Sequence, residues 1–178
     1  MDVYAKGRSL MRYWGQKWLS YGEICRLKGI EDMVEVYYNS GQFCHTMKAM
    51  EGYFSDAFSM YETLADFYEK KGDIFGISHS RIRRYEILME FLEEREVENL
   101  SYFKELMILD LYARENLKTR PVWAADRKAY KEKIQEFYTK EAEAPEVLQD
   151  YAGYQPKQLE KMTHLEIFSH NVPEGKAE

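Results

Sequence analysis

The chain is short of cysteine, short of proline and without a long apolar run, and each shortage excludes a class of protein. Only two cysteines, Cys25 and Cys44, occur in 178 residues, and they form no CxxC pair. A disulfide scaffold is therefore excluded, and a thiolate metal site lacks its ligands. The 18 residues between the two thiols are enough loop for a disulfide to close. A chain poor in Cys and rich in Met nevertheless reads as intracellular, so two free, mostly buried thiols are expected. No apolar stretch approaches the length of a membrane helix, and no charged-then-apolar leader follows Met1. The expected location is cytoplasmic, with no membrane partner. Basic residues are outnumbered as well: 25 Lys and Arg against 31 Asp and Glu leave a net charge of −6. A nucleic-acid binder driven by the phosphate backbone needs a basic surface that releases counterions, so no nucleic-acid partner is expected.

Chemical signatures are scarce too. The four histidines, His45, His79, His164 and His170, form no HExxH or ExxH spacing. Cys44 and His45 are adjacent, which on a helix points them about 100° apart. Phosphate-cradling glycine loops, GxSxG elbows and GxGxxG fingerprints are absent. No catalytic residue and no metal ligand is assigned.

What the chain does have is material for a core. Hydrophobic residues make up 45 % and aromatics 15 %, with 15 Tyr, 9 Phe and 9 Met. A chain of this size and composition buries a core of ordinary stability without staples. Its helix grammar is readable. Ser20 with Glu23 is a capping box, staged by a hydrophobic staple of Leu19 and Ile24. Ile24, Leu27, Ile30, Met33, Val34 and Tyr37 then recur at helical spacing, with Cys25 beside that stripe and Gly29 dividing the stretch into two shorter helices. Asn39, Ser40 and Gly41 end it.

Phe43, Met47, Met50 and Phe54 form the next stripe. Ser55 or Asp56 caps a helix with Phe58, Tyr61, Leu64, Ala65 and Tyr68 inside, and Gly72 stops it. Ser78 or Ser80 opens a helix whose inner face is Ile82, Tyr85, Leu88, Met89 and Leu92, and whose polar face ends in the acidic EEREVE. The segment from Phe103 to Tyr112 is apolar on more than one side and should be the most buried helix, closed by Pro121. Asp126 caps a more polar helix with Tyr130, Ile134, Phe137 and Tyr138 facing in.

The C-terminal region breaks this pattern. APEVLQDYAGYQPKQLEK holds two prolines and a glycine, and THLEIFSHNV has the composition of a strand. A lone strand leaves its N–H and C=O groups without partners, so the arm pairs with a copy of itself in a homodimer or with a strand of a longer protein. The expected fold is all-α: an irregular bundle of about six helices with a short C-terminal strand-like arm. Its divisions are an N-terminal tail over 1–19, a helical domain over 20–143 and a C-terminal arm over 144–178, which has the ragged look of an excised piece.

The most basic spot is GISHSRIRRYEIL. Ser78, His79 and Ser80 at a helix start, followed by Arg81, Arg83 and Arg84, can present backbone N–H groups and guanidinium forks to an anion such as phosphate. The competing reading is a capped helix whose arginines pair with Glu86 and Glu90. Lys118 and Arg120 suit the negative end of a helix dipole. Asp110, in the most apolar helix, has Arg114 one turn on as a ready ion-pair partner, against the alternative of a catalytic acid with a raised pKa.

Three stretches, WLSYGEICRLKGIEDMVEVYYNSGQF, GISHSRIRRYEIL and LKTRPVW, together resemble the helical C-terminal domain of unknown function found downstream of the cobalamin-binding and radical SAM domains of bacterial Fe–S oxidoreductases. The resemblance is clearest from Trp18 to Trp123, and HLEIFSHNV fits the continuation of that domain. It implies a parent enzyme that binds a [4Fe–4S] cluster and S-adenosylmethionine through a CxxxCxxC motif, together with cobalamin. It also implies that the partners are the parent's catalytic domains. This chain departs from the catalytic pattern. Cys25 and Cys44 cannot supply three closely spaced thiolates, there is no DxHxxG cobalamin motif, and no functional residue transfers. The expectation is thus an accessory, non-catalytic domain with no cofactor of its own, covering an active site or recognising a substrate or partner. A stand-alone helical protein–protein interaction module is the alternative. A small helical enzyme centred on Ser78, His79 and Arg83 is a third.

Overall fold

A computed structural model describes residues 19–72, 76–114, 117, 120–124 and 126–173; residues 1–18 of the expected 1–19 tail and Lys118 lie outside the described residues. Among the described residues the fold is all-α. Its helices are α1 (Tyr21–Val34), α2 (Cys44–Glu51), α3 (Ala57–Lys71), α4 (Arg81–Glu94), α5 (Leu100–Tyr112), α6 (Lys131–Glu143) and α7 (Pro156–Met162). A π-helical turn, Glu35–Asn39, extends α1, and 3₁₀ turns occupy Arg127–Tyr130 and Gln149–Tyr151. The chain forms two compact units, the first ending at Leu100 and the second beginning at Ser101. No helix is long and apolar enough to cross a membrane among the described residues.

In the first unit, helix starts follow local capping chemistry. The Glu23 N–H donates to Ser20 Oγ at 3.2 Å and the Ser20 N–H to Glu23 Oε2 at 2.6 Å, the expected capping box. Asp56 caps α3 in the same way, accepting from the Ser59 N–H at 2.7 Å, and Gly72 stops α3 at φ +61°. Gly29 corrects an expectation: α1 runs through it unbroken. The residue is buried, and a Cβ added there would meet the Ala65 Cβ at 3.6 Å, so Gly29 marks the close approach of α1 to α3.

That approach fixes which face of α1 is covered. Ile30, Met33 and Tyr37 are buried, whereas Leu27, about 200° around the helix from Gly29, is 45 % exposed. Cys25 precedes the packed face and is exposed, and so is Cys44 at the start of α2, contrary to the expectation of buried thiols. The remaining core comes from the expected stripes of α2, α3 and α4, including Met50, Leu64, Tyr85 and Leu88, with Met60 and Ile87 added. Phe58, in the first turn of α3, stands outside its stripe at 53 % exposure.

In the second unit α5 is buried at Phe103, Leu106, Met107, Ile108 and Leu111, and Asp110 is buried with them. The helix ends at Tyr112, well short of Pro121. Ile134 and Tyr138 of α6 pack with Leu159 of α7 in a small cluster, edged by Tyr130, Phe137, Leu148, Tyr151, Leu165 and Ile167. The stretch with two prolines and a glycine that breaks the helical pattern nevertheless holds α7, with Pro156 in the first turn, where a missing N–H costs nothing.

Carboxylates organise the loops of this unit. Glu141, 6 % exposed, accepts the N–H groups of Glu146, Val147 and Leu148 on one oxygen at 3.2, 3.0 and 2.8 Å, which turns the chain after α6. Segment 164–168 belongs to no helix and no sheet. Just beyond it, the N–H groups of Ser169 and His170 donate to Glu105 at 2.8 and 2.9 Å, so this backbone meets a side chain of α5 instead of a second strand.

Candidate functional site

The first unit contains a polar interior that begins with the π-helical turn. The Ser40 N–H reaches back to the Glu35 carbonyl at 3.2 Å, and Ser40 Oγ donates to the Val36 carbonyl at 2.6 Å. A widened turn of this kind re-aims the side chains it carries. Here it carries Tyr37, which is 1 % exposed and packs its ring 4.8 Å from Phe43. The Tyr37 hydroxyl lies 2.7 Å from the Tyr68 hydroxyl of α3 and donates to the Arg84 carbonyl of α4 at 3.3 Å. A hydroxyl has a single proton, so with Tyr37 donating to the carbonyl, Tyr68 donates to Tyr37. Tyr68 is left with an oxygen that only accepts. Burial pushes Tyr37 well above the usual tyrosine range, the Tyr68 neighbour adds to this, and Arg84 and Arg83 oppose it. Burial raises Tyr68 as well, against the two arginines. Both tyrosines are neutral at physiological pH.

Tyr68 faces a cavity of about 320 Å³. Asp32 and Glu35 come to its wall from α1 and the π turn, Ser78 and His79 from the loop before α4, and Arg84 from the first turn of α4. Of the six residues proposed for an anion, the structure thus brings Ser78, His79 and Arg84 together on one wall. Ser80 is used as the α4 cap, its Oγ accepting from the Arg83 N–H at 3.3 Å. Arg83 is held by Glu86 at 3.2 Å and Glu90 at 2.8 Å, the competing pairing foreseen for it. Arg81 is exposed and outside the lining. The cavity therefore carries both signs of charge, with carboxylates from α1 facing an arginine and a histidine from the α4 side.

Sequence reasoning missed Asp32, Glu35 and the tyrosine pair. Helical spacing marks Tyr37 as an inward position, but no local signal shows that its hydroxyl meets one 31 residues away. Among the described residues no three His, Cys, Asp or Glu side chains are grouped to hold a metal ion. With two cysteines in the whole chain, the donor set does not fit a cluster bound by three thiolates.

A family profile matches residues 14–178, nearly the entire chain. The chain belongs to the family described as protein of unknown function (DUF4080). No curated protein and no solved structure matches it. The family match spans both units, so the cavity of the first unit and the carboxylate-held loops of the second belong to one family domain.

Proposed function

We propose that this chain is an accessory, non-catalytic domain of a cytoplasmic radical SAM Fe–S oxidoreductase, contributing substrate recognition or a cover to an active site carried by the parent's catalytic domains. The [4Fe–4S] cluster, S-adenosylmethionine and cobalamin belong, on this reading, to those catalytic domains, and no step of their chemistry is assigned to residues here. The observation that best supports the reading is the cavity of the first unit. Two of the stretches that resemble the accessory domain, Trp18 to Phe43 and Gly76 to Leu88, supply all of its lining except Tyr68 among the described residues. A pocket walled by both signs of charge suits recognition of a small polar substrate. Exposed Tyr21, Leu27 and Tyr38, at 66, 45 and 65 %, add apolar area on α1 and its π turn suited to docking on a neighbouring domain.

The test is a complementation assay. A radical SAM catalytic region prepared without this domain is assayed anaerobically for product, with and without the added chain, as wild type and as Arg84→Ala. The wild-type chain should raise product formation, and Arg84→Ala should raise it less while folding normally by circular dichroism. A [4Fe–4S] absorption spectrum from this chain alone after reconstitution would overturn the reading. Equal product with and without the chain would favour an independent interaction module.

A further inference from the structure

A second cavity lies entirely within the second unit. It is a groove of about 820 Å³ between the start of α6 and α7. Arg127 and Lys128 of the 3₁₀ turn, Lys131 at the first position of α6 and Lys157 in the first turn of α7 all line it, and Glu160 is the single acidic residue of the lining among the described residues. In a chain of net charge −6 this is a local reversal of sign.

The placement of these cations is electrostatically costly. The N-terminal end of a helix is the positive end of its dipole, where cations are disfavoured. Three of the four nevertheless gather at or just before the start of α6, alongside Glu132 in its first turn, while its C-terminal end carries Glu141 and Glu143 beside Lys140. Neighbouring lysines outside the groove are satisfied locally: Lys140 pairs with Glu136 at 2.7 Å, and Lys133 lies over the Tyr130 ring. The groove cations form no such ion pair among the described residues. A set of four cations gathered in one groove with Glu160 as the acidic residue described beside them is an arrangement an anionic ligand stabilises.

Two features narrow the ligand. Arg127, Lys128 and Lys131 fall within about 8 Å of helix axis, allowing for the longer rise of the 3₁₀ turn, the span of two or three linked phosphoryl groups rather than of an extended polyanion. One and two turns further along α6 the lining changes to Ile134, Gln135, Tyr138 and Thr139, an apolar floor edged by hydrogen-bonding groups. The groove thus has a phosphate end and an apolar end, and its volume falls in the range of about 300–1,000 Å³ typical of small-molecule sites. We infer that this groove binds a small organic di- or triphosphate, with the phosphates on Arg127, Lys128, Lys131 and Lys157 and the organic part against Ile134 and Tyr138.

Isothermal titration calorimetry of the full chain with ADP, inorganic pyrophosphate and adenosine tests this. ADP should bind at one site with an affinity that falls as salt is added, pyrophosphate more weakly, and adenosine without detectable heat. The double variant Lys131→Ala, Lys157→Ala alters only exposed side chains and should weaken ADP binding about tenfold or more, while Lys140→Ala leaves it unchanged. Absence of saturable ADP binding, an equal loss in Lys140→Ala, or adenosine binding as tightly as ADP would each overturn the site. Pyrophosphate matching ADP would remove the apolar end from the inference. Displacement of ADP by a poly-glutamate peptide at lower concentration would make the groove a docking surface for an acidic segment, against the inference.

Discussion

The two units of this chain are held together by different chemistry. In the first, buried rings and aliphatic side chains dominate, and the polar groups inside are uncharged: the Thr46 side chain and tyrosine hydroxyls, of which Tyr37 and Tyr68 remain neutral across the physiological range. In the second, a smaller apolar cluster is supplemented by carboxylates: Glu141 turns a loop, Glu105 holds the backbone at Ser169 and His170, and Glu166 meets Arg120 and His164. His164 in turn stacks on Tyr112 with ring centroids 3.7 Å apart. A core of rings is indifferent to moderate acid. Backbone and side chains anchored on Glu105 and Glu166, both held below the ordinary carboxylate value, are not.

The largest effect should come from emptying the ring core of the first unit. Phe43, fully buried and 4.4 Å from the Tyr85 ring, leaves a cavity when cut to alanine, at a cost of about 3–5 kcal/mol in urea denaturation. Next is Glu141→Ala, which strands three backbone donors in the second unit and should cost about 2–3 kcal/mol. Hydrogen exchange would locate that loss, with Glu146, Val147 and Leu148 exchanging faster and α1 to α4 unaltered. An equal rise throughout the first unit would mean that the two are not separable in stability.

Acid should discriminate between the ring core of the first unit and the carboxylate-held backbone of the second as well. Burial alone would raise Glu105, but the N–H donors of Ser169 and His170 and the His170 ring outweigh it and hold the carboxyl below its ordinary value of 4.5. For Glu166, burial is likewise outweighed, by His164 and Arg120. A depressed folded-state pKa contributes stability that is fully present above the ordinary value and is lost as pH falls through the folded value. Protection of Ser169 and His170 should therefore decline with acidification below the ordinary carboxylate range, and Glu105→Gln should flatten that decline. The Tyr37 and Tyr68 pair should show no response in the same range. The smallest effect is Gly29→Ala, where the new methyl makes an ordinary contact with Ala65; the gain in helix propensity should stabilise the first unit by about 0.5–1 kcal/mol. Destabilisation would show that α1 and α3 cannot yield even that contact.

Legibility in the sequence followed distance along the chain. The Ser20 and Asp56 caps and the Gly72 stop were readable because each is settled within three or four residues. Leu27 and Phe58 were placed inside by spacing alone, but spacing shows that a stripe exists without showing which part of it a neighbour covers. Gly29 looked like a break because its low helix propensity is local, whereas its close approach to Ala65 is not. Helix α7 was hidden by a composition that suggested loop, although a proline at a first helical turn is itself a start signal. Of the candidate site, the α4 side was legible as a basic cluster, and its division into Arg84 on the cavity and Arg83 on two glutamates was not.

What the sequence determined by itself is the all-α class, most helix starts and stops, and the presence of too few thiols for a cluster, since these depend on composition and on hydrogen bonds closed within a single turn. Tertiary structure alone decided that Tyr37 meets Tyr68, 31 residues on, that Arg120 meets Glu166 across 46, and that Glu105 holds His170 across 65. It also decided that both cysteines face outward, and that four scattered cations share a groove. Contacts at such separations carry no periodic trace in the chain, because they are selected by how whole helix faces pack and by which buried polar groups then lack a partner.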